Sequence, residues 1–237
     1  MNGLIALVGS GEYLPVMEDV DRYLLESLDS NGRAPRVVCL PTAAGREGDQ
    51  SVDRWSRMGI AHFKKLGADV TALQIIDRAS ANDERYEPVL ENADLIYFSG
   101  GDPGYLYETL KDTCAWRATQ RAWTRGAVYA GCSAGAMILA HRMPSFRLAG
   151  TQEGFGLVPI QFIVPHFDAI PSIWKPVVFA LQKQLKDGEL MLGVDEDTAL
   201  VGSLRGGWMV RGQGRVQVFT RNRKNLYRNG ETISLIG

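Results

Sequence analysis

Five short, largely apolar runs separated by segments of helical periodicity do most to limit what this chain can fold into. Residues 4–8, 36–40, 70–76, 95–98 and 127–130 are aliphatic-rich and have almost no polar face, so each strand they form must be covered on both sides. Such strands suit a parallel sheet. Between the first two, Met17, Val20, Leu24 and Leu28 recur at steps of three and four, and Gly32 closes the pattern. Between the next two, Trp55, Met58, Phe63 and Leu66 share a helical face that ends at Gly67. Leu106, Leu110, Cys114, Ala118 and Ala122 predict one helix over 105–125, and Ile173, Val177, Leu181 and Leu185 predict another. This alternation predicts an α/β sandwich with helices on both faces of a mostly parallel sheet. After residue 190 the pattern becomes short strands at 190–194, 199–202, 208–211, 215–220 and 231–235 with Gly-rich turns, an antiparallel meander at one edge. No linker, repeat or charge run divides the chain, so residues 1–237 are expected to form a single domain.

Charge and cysteine usage narrow the function classes. With 26 Lys+Arg against 27 Asp+Glu the net charge is -1, which lacks the basic excess that neutralises a phosphate backbone. Nucleic acid and an anionic membrane surface are excluded as main partners. The longest weakly polar run, residues 127–140, is shorter than the roughly 18–20 apolar residues of a membrane span. The apolar run at 4–8 lacks preceding basic residues and the length of a signal-peptide core, and reads as a first strand. Cys39, Cys114 and Cys132 are an odd set without metal-type spacing, which predicts buried free thiols, no metal site and a cytoplasmic location.

The chemistry is concentrated at Gly131-Cys132-Ser133-Ala134-Gly135, a G-x-S-x-G segment between a predicted strand and a predicted helix. In such an elbow the serine projects from a sharp strand-to-helix turn, and the flanking glycines leave room where side chains would collide. The N–H of Ala134 and the helix start can then stabilise negative charge on a reacting carbonyl oxygen. The frame places Ser133, and not Cys132, between the glycines; Cys132 reads as a buried neighbour. A serine needs a base, and the chain offers three histidines. His141, eight residues along the predicted helix, lies roughly 12 Å from Ser133 at about 1.5 Å per residue. His62 is inside a helix and reads as a surface or packing residue. His166, in Val164-Pro165-His166-Phe167-Asp168 at a strand end, is the candidate base, and imidazole titrates near working pH. Its orienting acid is sought in Asp195-Glu196-Asp197, with Glu196 preferred and Asp168 second. Another strand ends in Ser99-Gly100-Gly101-Asp102, where Gly101 can offer a second oxyanion donor. Asp102 and the lack of a P-loop lysine argue against phosphate there. Gly9-Ser10-Gly11-Glu12 reads as a tight turn at the pocket rim.

These segments, in order along nearly the whole chain, resemble the S51 serine peptidase family of aspartyl dipeptidases and cyanophycinases. They are Gly-Ser-Gly-Glu at 9–12, Gly-Gly-Asp at 100–102, Gly-Cys-Ser-Ala-Gly-Ala at 131–136, Pro-His-Phe at 165–167 and Gly-Val-Asp-Glu-Asp-Thr-Ala-Leu-Val at 193–201. The resemblance implies a flavodoxin-like, class I glutamine amidotransferase-like three-layer sandwich and a cofactor-free, metal-independent serine-type hydrolase acting on an amide or isopeptide bond in a small peptide. It implies Ser133 as nucleophile, His166 as base, Glu196 as acid, and Gly101 and Ala134 as oxyanion donors. By analogy it also admits a homodimer through the edge meander. Two departures bear on substrate: Pro103 stands where relatives often carry an amide side chain, and residues 168–175, just downstream of Pro-His-Phe, hold no arginine where relatives that cleave after aspartate carry one. Lys175 can substitute there as a point charge but not as a bidentate fork. With Asp102 and Asp168 it makes up the candidate substrate-binding charges, and strict aspartyl specificity is not expected. Two other readings share parts of the pattern. A non-catalytic amidotransferase-like binding module keeps the glycines without needing Ser133 near His166, and glutamine amidotransfer would need a reactive Cys132.

Overall fold

The computed structural model describes residues 2–30, 32–145 and 150–235. Its parallel strands follow the apolar runs: β1 (Ile5–Val8), β2 (Arg36–Leu40), β3 (Asp69–Ala72), β4 (Leu95–Phe98) and β5 (Val128–Cys132). A hairpin of β6 (Arg142–Ser145) and β7 (Gly150–Glu153) follows, then β8 (Phe162–Val164), β9 (Met191–Val194) and β10 (Thr198–Gly202). The chain ends with β11 (Trp208–Gly212), β12 (Arg215–Phe219), β13 (Lys224–Arg228) and β14 (Thr232–Ile233). The main sheet has eight strands in the order β14-β11-β10-β1-β5-β4-β2-β3. From β1 through β5, β4 and β2 to β3 every pairing is parallel, and β10, β11 and β14 extend the sheet antiparallel from β1.

Strand alternation shows why the sheet needs covering on both sides. In β1, Ala6 and Val8 belong to one core with Val20, Leu24 and Phe63, whereas Ile5 and Leu7 belong to another with Leu106, Trp116 and Ala122. The first core is closed by α1 (Glu18–Glu26) and α2 (Asp49–Lys65). The second is closed by α3 (Arg78–Ala81), α4 (Glu87–Glu91), α5 (Pro103–Leu110) and α6 (Cys114–Thr124). This is the expected three-layer arrangement. Burying such side chains on both faces is worth about 25 cal/mol per Å2 of apolar surface, and it explains why β1, β4 and β5 lack a polar face, whereas the edge strand β3 exposes Asp69 and Thr71.

The structure corrects four details of the sequence reading. The segment read as one helix over 105–125 is two, because Asp112 takes a left-handed φ of 59° and the Thr113 hydroxyl caps α6 by accepting the Trp116 N–H at 3.3 Å. The run at 70–76 is strand only to Ala72. The helix after Ser133, α7 (Ala134–Met137), is a single turn, and His141 lies beyond its end with its N–H donated to Ile160 O at 2.9 Å. The C-terminal meander is divided: β10, β11 and β14 join the main sheet, while β9, β12 and β13 form a second sheet of order β13-β12-β9-β8. In that sheet β8 runs parallel to β9, and its other pairs are antiparallel. Its own small core joins Phe162, Val164, Met191 and Phe219 to Leu181 and Leu185 of the segment containing α8 (Lys175–Gln184). The chain crosses from the second sheet to the first in the three residues between β9 and β10, Asp195, Glu196 and Asp197. No helix among the described residues is long and apolar enough to cross a membrane.

Candidate active site

Ser133 stands at the C-terminal edge of the main sheet, where ligands of open α/β folds gather. It follows β5 and precedes α7 with φ 48° and ψ -104°, a conformation that costs a non-glycine residue of order 1–3 kcal/mol. The turn is possible because Gly131 has no side chain: a Cβ there would lie 2.3 Å from the Gly135 carbonyl oxygen. The Ser133 N–H is used by Val8 O at 2.9 Å, which fixes the elbow to β1. The next N–H, of Ala134, has no acceptor among the described residues, and neither has that of Gly101. Gly101 is pressed against Ala43 at the end of the β4 loop.

His166 arrives from the second sheet. After β8 and Pro165 it takes a φ of 50°, and Phe167 anchors the loop by donating its N–H to Val194 O at 3.0 Å. The Phe167 ring lies over Gly193, where a Cβ would come within 2.4 Å of it, so the glycine is required by close packing. Ser133 Oγ donates to His166 Nε2 at 3.1 Å, and His166 Nδ1 donates to Glu196 Oε1 at 2.8 Å. The carboxylate fixes this tautomer, since it can only accept and so leaves the Nε2 lone pair facing the serine.

The three carboxylates of the crossing segment have separate tasks. Asp195 is buried and accepts from Arg215 Nε and N at 3.1 Å each. Asp197 turns the chain with φ 52° and accepts the Gln213 N–H through its carbonyl at 2.9 Å. Glu196 faces the imidazole. Ser133, His166 and Asp197 make up three of the five non-glycine residues with positive φ among the described residues, so backbone strain is concentrated at this seam.

The other predicted site residues hold the framework or lie apart. Asp168 does not pair with the imidazole, which corrects its reading as the alternative acid; its Oδ1 accepts the Glu196 N–H at 2.8 Å and steadies the loop. Asp102 caps α5, with Oδ1 accepting the Tyr105 N–H at 3.0 Å. Lys175 is exposed at the start of α8, and no hydrogen bond or ion pair joins it to the site among the described residues. His62 is buried and bonded through Nε2 to Asp21 Oδ2 at 2.8 Å, a packing role that joins α2 to α1. Burial pushes the Asp21 carboxyl up from its ordinary value. Glu12, read as a rim residue, instead lies beneath the site with both carboxylate oxygens bonded. Its sequence signals were its position just past β1 and its place in the Gly-Ser-Gly-Glu segment, neither of which distinguishes a surface turn from a buried anchor.

Cys132 is fully buried, and burial followed by the Glu12 carboxylate pushes its thiol well above the ordinary range. Burial likewise pushes Cys39 up to about 12 and raises Cys114. The nucleophilic form of a thiol is the thiolate, so these groups are inert in the folded protein. Iodoacetamide at mildly alkaline pH is therefore expected to leave all three unmodified until the protein is unfolded in urea, as read by intact mass. Rapid native modification of Cys132 would instead favour a thiol nucleophile.

The two sheets thus bring an elbow serine, an imidazole and a carboxylate into one hydrogen-bonded line, which defines an α/β protein with the side-chain layout of a serine hydrolase. The profile of Peptidase family S51 matches residues 4–203, and the chain belongs to that family. A cyanophycinase of Geminocystis herdmanii is 28% identical over 181 residues, covering 72% of this chain and 64% of that protein, so the match spans less than two thirds of its length. A solved structure of a peptidase from an acI-B1 Actinobacterium superposes with a TM-score of 0.88 at 36% identity, covering 99% of this chain and 97% of that one. A structure described as a candidate peptidase E protein of Listeria monocytogenes, with TM-score 0.63 and 20% identity, covers 90% of this chain and 100% of that one; it supports the fold alone.

Proposed function

We propose that this protein is a serine peptidase that hydrolyses an amide or isopeptide bond in a small peptide through Ser133, His166 and Glu196. The observation that carries the reading is the unbroken line from Ser133 Oγ to His166 Nε2 at 3.1 Å and from His166 Nδ1 to Glu196 at 2.8 Å. In the proposed reaction His166 takes the Ser133 proton as Oγ bonds to the substrate carbonyl carbon. The resulting oxyanion is held by the N–H groups of Gly101 and Ala134, for which the protein offers no other acceptor among the described residues. As the C–N bond breaks, His166 returns the proton to the leaving amine. It then deprotonates the water that cleaves the acyl ester, and passes that proton to Ser133. Glu196 holds the ring and stabilises the imidazolium formed in each step.

Family membership and the similarity to cyanophycinases support a small-peptide substrate, and the lack of an arginine in residues 168–175 supports looser selection than a bidentate carboxylate fork would give. The test is a dipeptide panel containing α-Asp-X and β-Asp-Arg members, followed by free amine release. Turnover of at least one member is expected. Calorimetric binding of panel members without any turnover would favour the non-catalytic module.

A further inference from the structure

Glu12 is only 8% exposed, in the turn that follows β1. Its Oε1 accepts the Gly100 N–H at 2.8 Å, and its Oε2 accepts the Cys132 S–H at 2.9 Å. Gly100 immediately precedes Gly101, and Cys132 immediately precedes Ser133. One buried carboxylate therefore ties the loop bearing one unengaged N–H to the elbow bearing the serine and the other. The groups converge closely: a Cβ on Gly100 would lie 3.0 Å from Glu12 Oε1 and 3.4 Å from the Ser133 Cβ. Burying a carboxylate is costly unless its oxygens are paired, and an apolar side chain would fill this turn without that cost.

We propose that Glu12 is a positioning residue that sets the oxyanion hole against the nucleophile. The proposal rests on the reading of Ser133 as nucleophile and of Gly101 and Ala134 as oxyanion donors. Two adjacent glycines leave the Gly100–Gly101 backbone torsionally soft, so an unanchored loop would spread its N–H directions over many orientations. Oxyanion stabilisation needs donors within about 2.7–3.1 Å of the developing charge. Fixing the Gly100 N–H on Glu12 Oε1 restrains that loop, and the bond to Cys132 refers it to the same strand end that carries Ser133. Glu12 touches neither the imidazole nor the carbonyl. Its effect falls on the transition state, where the oxygen becomes charged, and hardly on ground-state binding.

The test uses Glu12→Gln, which keeps an acceptor for Gly100, and Glu12→Ala, which removes both bonds. On a substrate cleaved by the wild type, kcat is expected to fall about 100-fold in Glu12→Ala, the scale of a 1 Å misplacement. The glutamine variant should recover much of that loss, and KM should barely move in either. A merely structural role would lower Tm without separating kcat from KM. A second readout needs no substrate: by NMR the Gly100 amide hydrogen should exchange slowly in the wild type and in Glu12→Gln, and fast in Glu12→Ala. If the alanine variant does not fold, Glu12→Gln carries the test through an intermediate loss of kcat. Wild-type kcat in a folded Glu12→Ala, an unaltered kcat in Glu12→Gln where that variant alone folds, or unchanged Gly100 exchange in Glu12→Ala, overturns the proposal. Absence of Ser133-dependent hydrolysis in the wild type is a failure of the peptidase reading instead, and the Gly100 exchange then decides the anchor by itself.

Discussion

Replacing Ser133 with alanine is expected to lower kcat on any cleaved peptide by at least about 10⁴-fold while leaving KM near its wild-type value. In the proposed reaction Oγ forms the bond to the carbonyl carbon, whereas the groups that hold the peptide are untouched. No nearby group can replace it. Cys132 is one residue away, but it is fully buried and donates its S–H to Glu12, so it faces into the sheet and not toward His166. The elbow itself is held by the Ser133 backbone N–H on Val8 O and by the absence of a side chain at Gly131. The variant is therefore expected to fold, with an unchanged far-UV circular dichroism spectrum. Equal turnover by the wild type and the alanine variant would remove Ser133 from the chemistry.

The second large effect is expected at Glu196. Its Oε1 accepts from His166 Nδ1, and that contact places the ring proton away from the serine. In Glu196→Gln the amide can turn its NH2 toward Nδ1, which moves the ring proton to Nε2 and confronts the Ser133 O–H with another donor. Loss of the correct tautomer in such a line costs up to about 10⁴-fold in kcat. An asparagine at Asp168 is expected to cost much less, because the Asp168 carboxylate supports the Glu196 backbone N–H and does not touch the imidazole. Steady-state kinetics of the two variants separates the roles. A near-normal Glu196→Gln with a crippled Asp168→Asn would exchange them.

The parallel part of the fold was legible because its strands other than the edge strand β3 are buried on both faces. Residues 37–40 and 95–98 are apolar and buried throughout, so these stretches follow from composition alone. The elbow was legible for a related reason: Gly131 and Gly135 are needed by sterics at fixed spacing from Ser133. The division of the C-terminal strands between two sheets was hidden, because β9 and β10 are both fully buried and read alike along the chain. That division places Glu196 on the seam between them. The role of Asp168 was hidden as well, since a carboxylate near a histidine in sequence does not reveal that it faces a backbone N–H 28 residues away. Strain at His166 and Asp197 has no local signature, because neither residue is a glycine and the surrounding packing imposes the positive φ. Glu12 shows the same limit: the residue type and its place after β1 were visible, but its two buried partners come from β5 and from the loop after β4.

The measurement that bears most directly on the account is covalent capture of the nucleophile. A fluorophosphonate transfers its phosphonyl group to an activated serine oxygen with loss of fluoride, and the product mimics the tetrahedral intermediate held by the oxyanion donors. After treatment of the folded wild type and of His166→Ala, peptide mapping by mass spectrometry locates the adduct. The account predicts one phosphonylated residue, Ser133, in the wild type and strongly slowed labelling when His166 is removed. Unlabelled Ser133 in a protein that hydrolyses peptides, or labelling that proceeds equally without His166, would contradict it.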